Sequence, residues 1–268
     1  MAVDGTTAWV VATDSGHLIR LDLATATETA RIDIGPGAAG VIVGDDGQIY
    51  VGRYDTGTSG ESVIVANASA TETHRFKGSP LGGIAAGEAG TIWVLEKAGR
   101  VAHLDGSTGR SLGSMAVTVD ANEHMEIVAG AGARWLSSDH SAVRRIAGDA
   151  TVAAEIETGG GIPLTFADGF VWGARADQVW GIDPASNTVK RRVPLDGVDE
   201  ILAMDVAAET AWIAVRRPGR VGHVIAINLA DGSLLWDADA SLPAAVELAT
   251  DRVWVTDYEA DTVLGFRR

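Results

Sequence analysis

The segment Thr91-Ile92-Trp93-Val94-Leu95 decides the fold, because close copies of it recur along the whole chain. Most copies have a small or polar residue, then an apolar residue, an aromatic residue and another apolar residue. The aromatic residues of the seven copies are Trp9, Tyr50, Trp93, Trp135, Trp172, Trp212 and Trp254. Their spacings are 41, 43, 42, 37, 40 and 42 residues, so the chain consists of seven repeats.

Each repeat contains more than one predicted strand. A second apolar run follows the aromatic residue after about nine residues, as in residues 101–105. A turn rich in Ala, Ser, Thr, Asn and Gly leads to a more polar run, as in residues 190–193. A short fourth run, as in residues 41–43, precedes the next aromatic residue. We name these strands A (the short run), B (the aromatic run), C and D (the polar run).

Four strands in roughly 40 residues, repeated, are typical of the blades of a β-propeller. The sequence therefore predicts an all-β fold, a seven-bladed β-propeller with four-stranded antiparallel blades in one domain, residues 1–268. Apolar B strands fit blades that are covered on both faces, and polar D strands fit an outer edge exposed to water. A solenoid would have polar capping units at its ends, and the first and last repeats resemble the middle ones.

The two end repeats are shorter than the others. Few residues precede the first B strand, and the last repeat reaches Arg268 at the end of its strand C, so we expect the last blade to be incomplete. Either residues upstream of Met1 in a longer parent chain supply its D strand, or the blade has three strands naturally. Residues 1–5 show no signal peptide, and a location outside the cytoplasm would follow if the propeller is part of a larger sensor protein.

The composition excludes several classes of partner. The net charge is −15 and the isoelectric point about 4.7, so we expect no nucleic-acid partner, because an acidic surface repels phosphate backbones. No run of ~18 apolar residues is present, so we expect no membrane insertion of this segment. The chain has no cysteine, which excludes disulfides, thiolate metal ligands and cysteine nucleophiles.

The repeat pattern resembles the YVTN, NHL and quinoprotein-like propellers and the streptogramin B lyase-like propellers. Residues 226–236 (Ala-Ile-Asn-Leu-Ala-Asp-Gly-Ser-Leu-Leu-Trp) are similar to the tryptophan-docking motif of the quinoprotein family, with Asn228 for the usual Asp and Asp231 for the usual Thr. In that family the motif joins blades and does not hold the quinone. Trp93-Val94-Leu95-Glu96 is similar to the Trp-Phe-Thr-Glu signature of the streptogramin lyase-like family, whose lyases use His and Glu residues with magnesium.

The B-to-C and D-to-A loops are predicted to form one polar rim at the mouth of the channel. The D-to-A loops include residues 120–124 and 196–200. The arginines of this rim are suited to bind an anionic or carboxylate-bearing ligand through bidentate contacts. The alternative is a solvated rim with surface ion pairs. The candidate ligand-binding residues of the rim are Arg53, Tyr54, Glu96, Lys97, His124, Asp139, His140, Arg175, Arg216, Asp257 and Tyr258.

Three carboxylates lie on predicted A strands beside the channel, namely Glu126, Asp205 and Glu247. Because strand side chains alternate with period 2, we expect them on one face of their blades. Buried like charges must be neutralised, pair with a cation or bind a metal ion. Oxygen ligands suit Ca²⁺ or Mg²⁺, and the alternatives are channel water or pairing with a neighbouring Arg or His.

No catalytic constellation is identified. His124 and His140 lie nearest the predicted mouth, beside Glu123 and Asp139, where an acid–base pair is conceivable. The sequence has no Gly-x-Ser-x-Gly elbow, His-Glu-x-x-His motif, Walker A motif or dinucleotide fingerprint.

The leading functional hypothesis is a non-enzymatic module without a cofactor, a sensor or scaffold domain of a larger bacterial protein. Such a module would bind a small molecule or a protein at the channel mouth. One alternative is a divalent-metal-assisted lyase or hydrolase of the streptogramin B lyase-like type, with Ca²⁺ or Mg²⁺ in the channel. Another is a purely structural propeller in an assembly.

Overall fold

The computed structural model describes residues 1–57, 59–117, 124–249 and 251–268, except for the side chain of Ala39. Within these residues the regular structure consists of 27 β-strands in seven antiparallel sheets, and no α-helix is present. In every sheet the strands are neighbours in the order in which the chain forms them. Six of the sheets thus follow the predicted order A, B, C and D, and the seventh follows the order A, B and C.

Sheets one to three share this arrangement. Sheet one contains β1 (Ala2–Asp4), β2 (Thr7–Ala12), β3 (His17–Asp22) and β4 (Thr27–Asp33). Sheet two contains β5 (Ala38–Val43), β6 (Ile49–Arg53), β7 (Glu61–Ala66) and β8 (Glu72–Lys77). Sheet three contains β9 (Leu81–Ala86), β10 (Thr91–Glu96), β11 (Arg100–Asp105) and β12 (Ser111–Ala116).

Sheets four to six also have four strands each. Sheet four contains β13 (Met125–Gly130), β14 (Ala133–Ser138), β15 (Val143–Ile146) and β16 (Val152–Ile156). Sheet five contains β17 (Leu164–Ala167), β18 (Phe170–Arg175), β19 (Gln178–Asp183) and β20 (Thr188–Pro194). Sheet six contains β21 (Glu200–Ala207), β22 (Thr210–Arg217), β23 (Val221–Asn228) and β24 (Leu234–Ala240).

Sheet seven has three strands, which are β25 (Pro243–Leu248), β26 (Arg252–Asp257) and β27 (Thr262–Arg267). Strand β27 is a C strand and forms the outer edge of this sheet. The prediction of an all-β, seven-bladed β-propeller is confirmed, and the last described sheet has three strands; whether further residues complete it stays a prediction.

The chain divides into two compact units. Unit 1 comprises Met1–Ala129 and Ile146–Val152, and unit 2 comprises Gly130–Arg145 and Ala153–Arg268. That the whole chain is one domain stays a prediction. None of the described residues belongs to a helix long and apolar enough to cross a membrane.

Successive sheets pack face to face within each unit through apolar side chains from alternate strand positions. In unit 1, sheets one and two share a cluster that includes Trp9, Ile34, Val51 and Ile64. Sheets two and three share a second cluster that includes Tyr50, Val65, Ile84 and Val94. In unit 2, sheets five and six share a cluster that includes Trp172, Val193, Ile213 and Ile225, and sheets six and seven share one that includes Trp212, Val224, Val246 and Val255.

Glycine makes room for tryptophan in sheet five. Trp172 of β18 lies opposite Gly181 of β19, and the adjacent pair, Gly173 and Trp180, has the reverse arrangement. A Cβ atom on Gly181 would lie 2.8 Å from Cζ3 of Trp172, and a Cβ atom on Gly173 would overlap the Trp180 ring. Both rings are buried, so neither has space to move aside.

We expect Gly181→Ala to destabilise the protein because the added methyl group overlaps the buried Trp172 ring. Overpacking of this kind costs about 1–3 kcal/mol. The control is Gly148→Ala, whose Cβ would enter open space and should change the free energy of unfolding by less than about 0.5 kcal/mol. Denaturant unfolding followed by tryptophan fluorescence measures both variants, and equal stabilities would show that sheet five does not depend on this close contact.

Candidate functional site

Backbone hydrogen bonds join the B-to-C loops of unit 1 to the preceding D-to-A links. The N–H of Tyr54 donates to the carbonyl oxygen of Gly37, and the N–H of Lys97 donates to that of Pro80, both at 2.9 Å. The two kinds of loop therefore lie at the same end of the sheets, as the sequence predicted, and they form the rim of the candidate site.

The side chains of Tyr54 and Lys97 project from the B-to-C loops of the neighbouring sheets two and three. Tyr54 is 40% exposed, and Lys97 is exposed as well. The Lys97 Nζ atom lies 5.0 Å from the centre of the Tyr54 ring, which is within the range of a cation–π contact. The structure thus brings two of the predicted rim residues together.

Arg53 and Glu96, also predicted for the rim, are buried at the ends of β6 and β10. The Arg53 guanidinium donates to the Pro36 carbonyl oxygen at 2.5 Å and lies 3.6 Å from the Glu61 carboxylate. Glu96 accepts two hydrogen bonds from the guanidinium of Arg100, one of them at 3.0 Å. Both side chains hold the loops in place from within.

In unit 2 the rim arginines also have carboxylate partners. The Arg175 Nε atom lies 2.7 Å from the Asp177 carboxylate, and its Nη1 atom donates to the Gly159 carbonyl oxygen at 3.2 Å. The Arg216 Nη1 atom lies 2.7 Å from the carboxylate of Glu200. Ligand binding by these arginines stays a prediction, and a ligand would compete with the ion pairs.

Asp257 fixes the loops of sheet seven. It is only 3% exposed and accepts hydrogen bonds from the backbone N–H groups of Ser241, Leu242 and Ala260 at 2.7, 3.0 and 3.2 Å. Burial acts to raise the pKa of Asp257, but these hydrogen bonds outweigh it, and the pKa lies below 3.8. Asp257 is therefore an anion at neutral pH. The adjacent Tyr258 is 54% exposed.

The other predicted rim residues lie on loops and not in strands. His124 and His140 are exposed, and Asp139 is partly buried. Residues 120–123 of the predicted D-to-A loop, including Glu123, lie outside the described residues. The acid–base pair suggested for the two histidines stays a prediction.

Asp205, predicted as a metal ligand, joins the A strands of three successive sheets. Its carboxylate accepts hydrogen bonds from Thr165 Oγ1 of β17 at 3.2 Å, from the Val206 N–H of β21 at 2.8 Å and from the Leu248 N–H of β25 at 3.0 Å. Burial is the largest influence on this carboxyl group and raises its pKa above the usual 3.8, although the hydrogen bonds act to lower it.

Glu247 occupies the position on β25 that Asp205 occupies on β21, because both lie opposite the B-strand tryptophan of their sheets. Desolvation by burial, together with the negative charge of Asp205, raises the pKa of Glu247 to about 7. The structure thus brings Asp205 and Glu247 together, while Glu126 lies partly buried on β13.

Among the described residues no group of three or more His, Asp or Glu side chains is arranged to hold a metal ion. The Ca²⁺ or Mg²⁺ site at Glu126, Asp205 and Glu247 therefore stays a prediction. Thermal unfolding in EDTA and in millimolar Ca²⁺ or Mg²⁺ tests it, since a bound cation would raise the melting temperature and Asp205→Asn would abolish that rise.

Sequence reasoning missed the partners that hold the predicted side chains. Arg100, Glu61 and Glu200 lie on neighbouring strands or loops, and their pairing requires the register of the strands. Thr165 had a usable signal, because it stands seven residues before the aromatic residue of its repeat, as Asp205 and Glu247 do.

The fold and its loop rim define the chain as a seven-bladed β-propeller, and comparison with known proteins agrees. No protein-family model and no curated protein matches the sequence. Among solved structures it is similar to BamB from Moraxella catarrhalis, with a TM-score of 0.61, 15% identity, and coverage of 100% of this chain and 84% of that one.

Two further structures are similar over nearly their whole length. One is the computationally designed Ika8 protein (TM-score 0.68, 14% identity, covering 100% of this chain and 95% of that one). The other is the WD40 domain of Pan2 from Neurospora crassa (TM-score 0.71, 10% identity, covering 99% and 86%). At these identities the similarity shows the fold alone.

We expect the stability of the protein to fall as the pH rises from about 4.5 to about 7, in proportion to the ionisation of Glu247. The folded state raises the pKa of this group from 4.5 to about 7, so in this window the folded chain binds more protons than the unfolded chain. Glu247→Gln removes this contribution and should flatten the pH dependence of the unfolding midpoint.

The control for this measurement is Glu259→Gln, because Glu259 is an exposed loop residue of the same sheet. Denaturant midpoints of the three proteins are compared at pH 5 and pH 8. If Glu247→Gln and the original protein lose the same stability between these two pH values, Glu247 is not desolvated.

Proposed function

We propose that this propeller is a non-enzymatic binding module that takes a carboxylate-bearing ligand, a peptide or a small molecule, at its loop rim. The observation that carries the proposal is the exposed pair of Tyr54 and Lys97, whose ring and ammonium group lie 5.0 Å apart. An aromatic face beside a cation offers an apolar surface and a charge to the same ligand.

The backbone around this pair supports binding. Hydrogen bonds from Tyr54 and Lys97 to the links before β5 and β9 hold both loops, and buried Arg53 and Glu96 hold the strand ends beneath them. A surface that is already ordered loses little conformational entropy when a ligand binds. Tyrosine also adds contact area at a low cost in rotamer freedom.

The charged groups of the rim favour binding over proton transfer. Glu96 is paired with Arg100, and hydrogen bonds from three backbone N–H groups hold the pKa of Asp257 below 3.8. A general acid at neutral pH needs a pKa near 7, and Asp257 does not meet this requirement. Both carboxylates act as fixed acceptors that shape the loops.

We expect Tyr54→Ser and Lys97→Gln each to weaken ligand binding by about fivefold or more, because truncating a residue that carries much of the binding energy of an interface costs more than about 1 kcal/mol. The probe is a phage-displayed library of random dodecapeptides, selected on the original protein and counted against an unrelated acidic protein. Peptides enriched in Asp or Glu are then synthesised, and their dissociation constants are measured by calorimetry.

Leu112→Ser is the matched control, because Leu112 is similarly exposed (42%) but lies on the outer strand β12, away from the loops. The proposal requires that the selected peptides bind this variant as they bind the original protein. Selected peptides that bind equally well without Tyr54 and Lys97 would contradict it, as would a selection that yields no peptide beyond those of the unrelated protein.

A further inference from the structure

The outer strand of sheet five carries a charge opposite to that of the whole protein. Strand β20 contains Lys190, Arg191 and Arg192 in succession and no acidic residue, whereas the net charge of the chain is −15. Among the other D strands, β4, β8 and β16 contain glutamate, β24 contains two aspartates, and β12 contains no charged residue. Strand β20 is thus a local concentration of positive charge on an acidic protein.

A groove lies between β20 and the next sheet. Its volume is about 260 Å³, and it is lined by residues 190–194 of β20 and by residues 229–231 of the C-to-D turn of sheet six. This turn lies against β20, because a Cβ atom on Gly232 would be 3.2 Å from the Cγ1 atom of Val193. All of these residues belong to unit 2. None of the described lining residues is a candidate residue of the loop rim, so the groove is a separate surface.

The groove lies at a position where sheet six has a tryptophan and sheet five has an arginine. Arg191 of β20 and Trp236 of β24 are equivalent, because each follows the bulged residue of its D strand. The Trp236 ring lies 4.8 Å from the Phe266 ring of sheet seven, centre to centre, so aromatic side chains fill the space between sheets six and seven here. Arg191 keeps its charged group toward water, and the corresponding space between sheets five and six remains a groove.

The guanidinium group of Arg191 is positioned by two contacts and keeps donors for a ligand. Its Cζ atom lies 5.5 Å from the centre of the Phe170 ring, a cation–π contact, and its Nη2 atom donates to the Glu209 carboxylate at 3.2 Å. The Glu209 side chain is 61% exposed, so this ion pair contributes little energy. A guanidinium group has five N–H donors, and Arg191 can therefore bind a second carboxylate.

The charges that line the groove leave it positive. Lys190 is the exposed bulged residue of β20, and although Asp183 lies near it, the two form no ion pair. Asp231 is the acidic residue among the described lining residues. Its carboxylate accepts hydrogen bonds from the hydroxyl and the N–H of Ser233 at 2.7 and 2.9 Å, which lower its pKa and direct it to its own turn. The three cations of β20 thus outnumber Asp231 and Glu209 together.

An apolar side chain lies beside these charges. Leu234 of β24 pairs with Ile227 of β23, and Ile227 belongs to the cluster that sheets five and six share. Leu234 therefore lies on the side of sheet six that faces sheet five. It is nevertheless 55% exposed, so β20 does not cover it. Together with Pro194 and Ala230 of the groove, it offers apolar contact area next to the cations.

The placement of the cations favours an extended ligand over a compact anion. Arg191 pairs with Gly181 and Arg192 pairs with Trp180, so the two arginine side chains lie on opposite faces of sheet five. They cannot converge on one phosphate group. Carboxylates distributed along an extended chain match cations distributed along a strand, and an apolar side chain of the same chain matches Leu234.

We propose that this groove binds an extended acidic segment of a partner protein, with carboxylates at Lys190 and Arg191 and an apolar side chain at Leu234. The arginine takes its carboxylate through paired N–H donors. Because the rest of the protein is acidic, it repels such a segment elsewhere, and the positive groove therefore selects where the segment docks. The groove is separate from the loop rim, and the inference does not rest on the function proposed there.

The probe is a synthetic acetylated peptide, Glu-Glu-Leu-Glu-Glu, with a neutral fluorophore, and fluorescence anisotropy at physiological ionic strength is the readout. We expect Lys190→Glu to weaken its binding about fivefold, since an exposed ion pair contributes up to ~1 kcal/mol. The control is Lys77→Glu, an equal change of charge at an exposed residue of the outer strand β8. It should leave binding nearly unchanged, because salt screens distant charges. The uncharged peptide Gln-Gln-Leu-Gln-Gln should bind more weakly than the Glu peptide and should not respond to Lys190→Glu.

Two further variants test the other groups of the groove. Asp231→Asn should strengthen binding of the Glu peptide, because it removes a negative charge while the amide oxygen can still accept the hydrogen bonds from Ser233. Leu234→Ser should weaken binding about threefold through lost apolar contact, and a peptide with Ser in place of its Leu should not show this loss. Leu112→Ser, at a similarly exposed residue of β12, is the control for Leu234→Ser.

Four results would overturn the inference. One is equal binding of the Glu and Gln peptides, and another is equal binding of the Glu peptide to the Lys190→Glu and Lys77→Glu variants. A third is loss of binding in Tyr54→Ser or Lys97→Gln without loss in Lys190→Glu, which would place the peptide at the loop rim. The fourth is displacement of the peptide by inorganic phosphate at concentrations below the dissociation constant of the peptide, which would assign the groove to a phosphate-bearing ligand. Failure of the rim proposal leaves all of these measurements as they are.

Discussion

The burial of one aromatic ring in the B strand of every sheet is the interaction on which the rest of the structure depends. Trp9, Tyr50, Trp93, Trp135, Trp172, Trp212 and Trp254 are all at most 5% exposed. Such a side chain removes roughly 150–250 Å² from water, which is worth about 4–6 kcal/mol at ~25 cal/mol per Å². In sheets three, five and seven the facing residue of the C strand is flat or small. His103 stacks on Trp93 with ring centres 4.4 Å apart, and Gly181 and Gly265 have no side chain opposite their tryptophans.

This packing also defines the structural role of the loops. Because the sheets supply the stability, the loop ends need only be held in register, and backbone hydrogen bonds between the two kinds of loop do so. The charged side chains at the strand ends reinforce them, as Arg53, Glu96 and Asp257 do from buried positions. Exposed aromatic and cationic groups such as Tyr54 and Lys97 therefore lie on loops that backbone hydrogen bonds hold in place, as the ligand binding proposed above requires.

The periodicity of the sequence was sufficient for the fold, because each repeat has the same local pattern and the same burial on both faces. The spacing of the aromatic residues predicted the number of sheets, and the apolar and polar runs around each aromatic residue predicted the strand order. The candidate site was harder to predict from the sequence. Asp205 and Glu247 were correctly assigned to A strands, but the hydrogen bond from Thr165 to Asp205 links residues 40 positions apart. Sequence reasoning also treated Arg53 and Glu96 as rim groups, and their burial depends on partners that only the strand register brings near.

The outer edges of the sheets are not covered by this face-to-face packing. Repeated sheets bury their faces but leave one outer strand each, with main-chain groups that a further strand could pair with. The bulges at Thr29, Thr73, Leu112, Lys190 and Leu235 restrict this pairing at five edges. They fall at one step of the ladder because each repeat turns from C to D in a similar way. In sheet seven the outer described strand is the C strand β27, which pairs with β26 without a bulge.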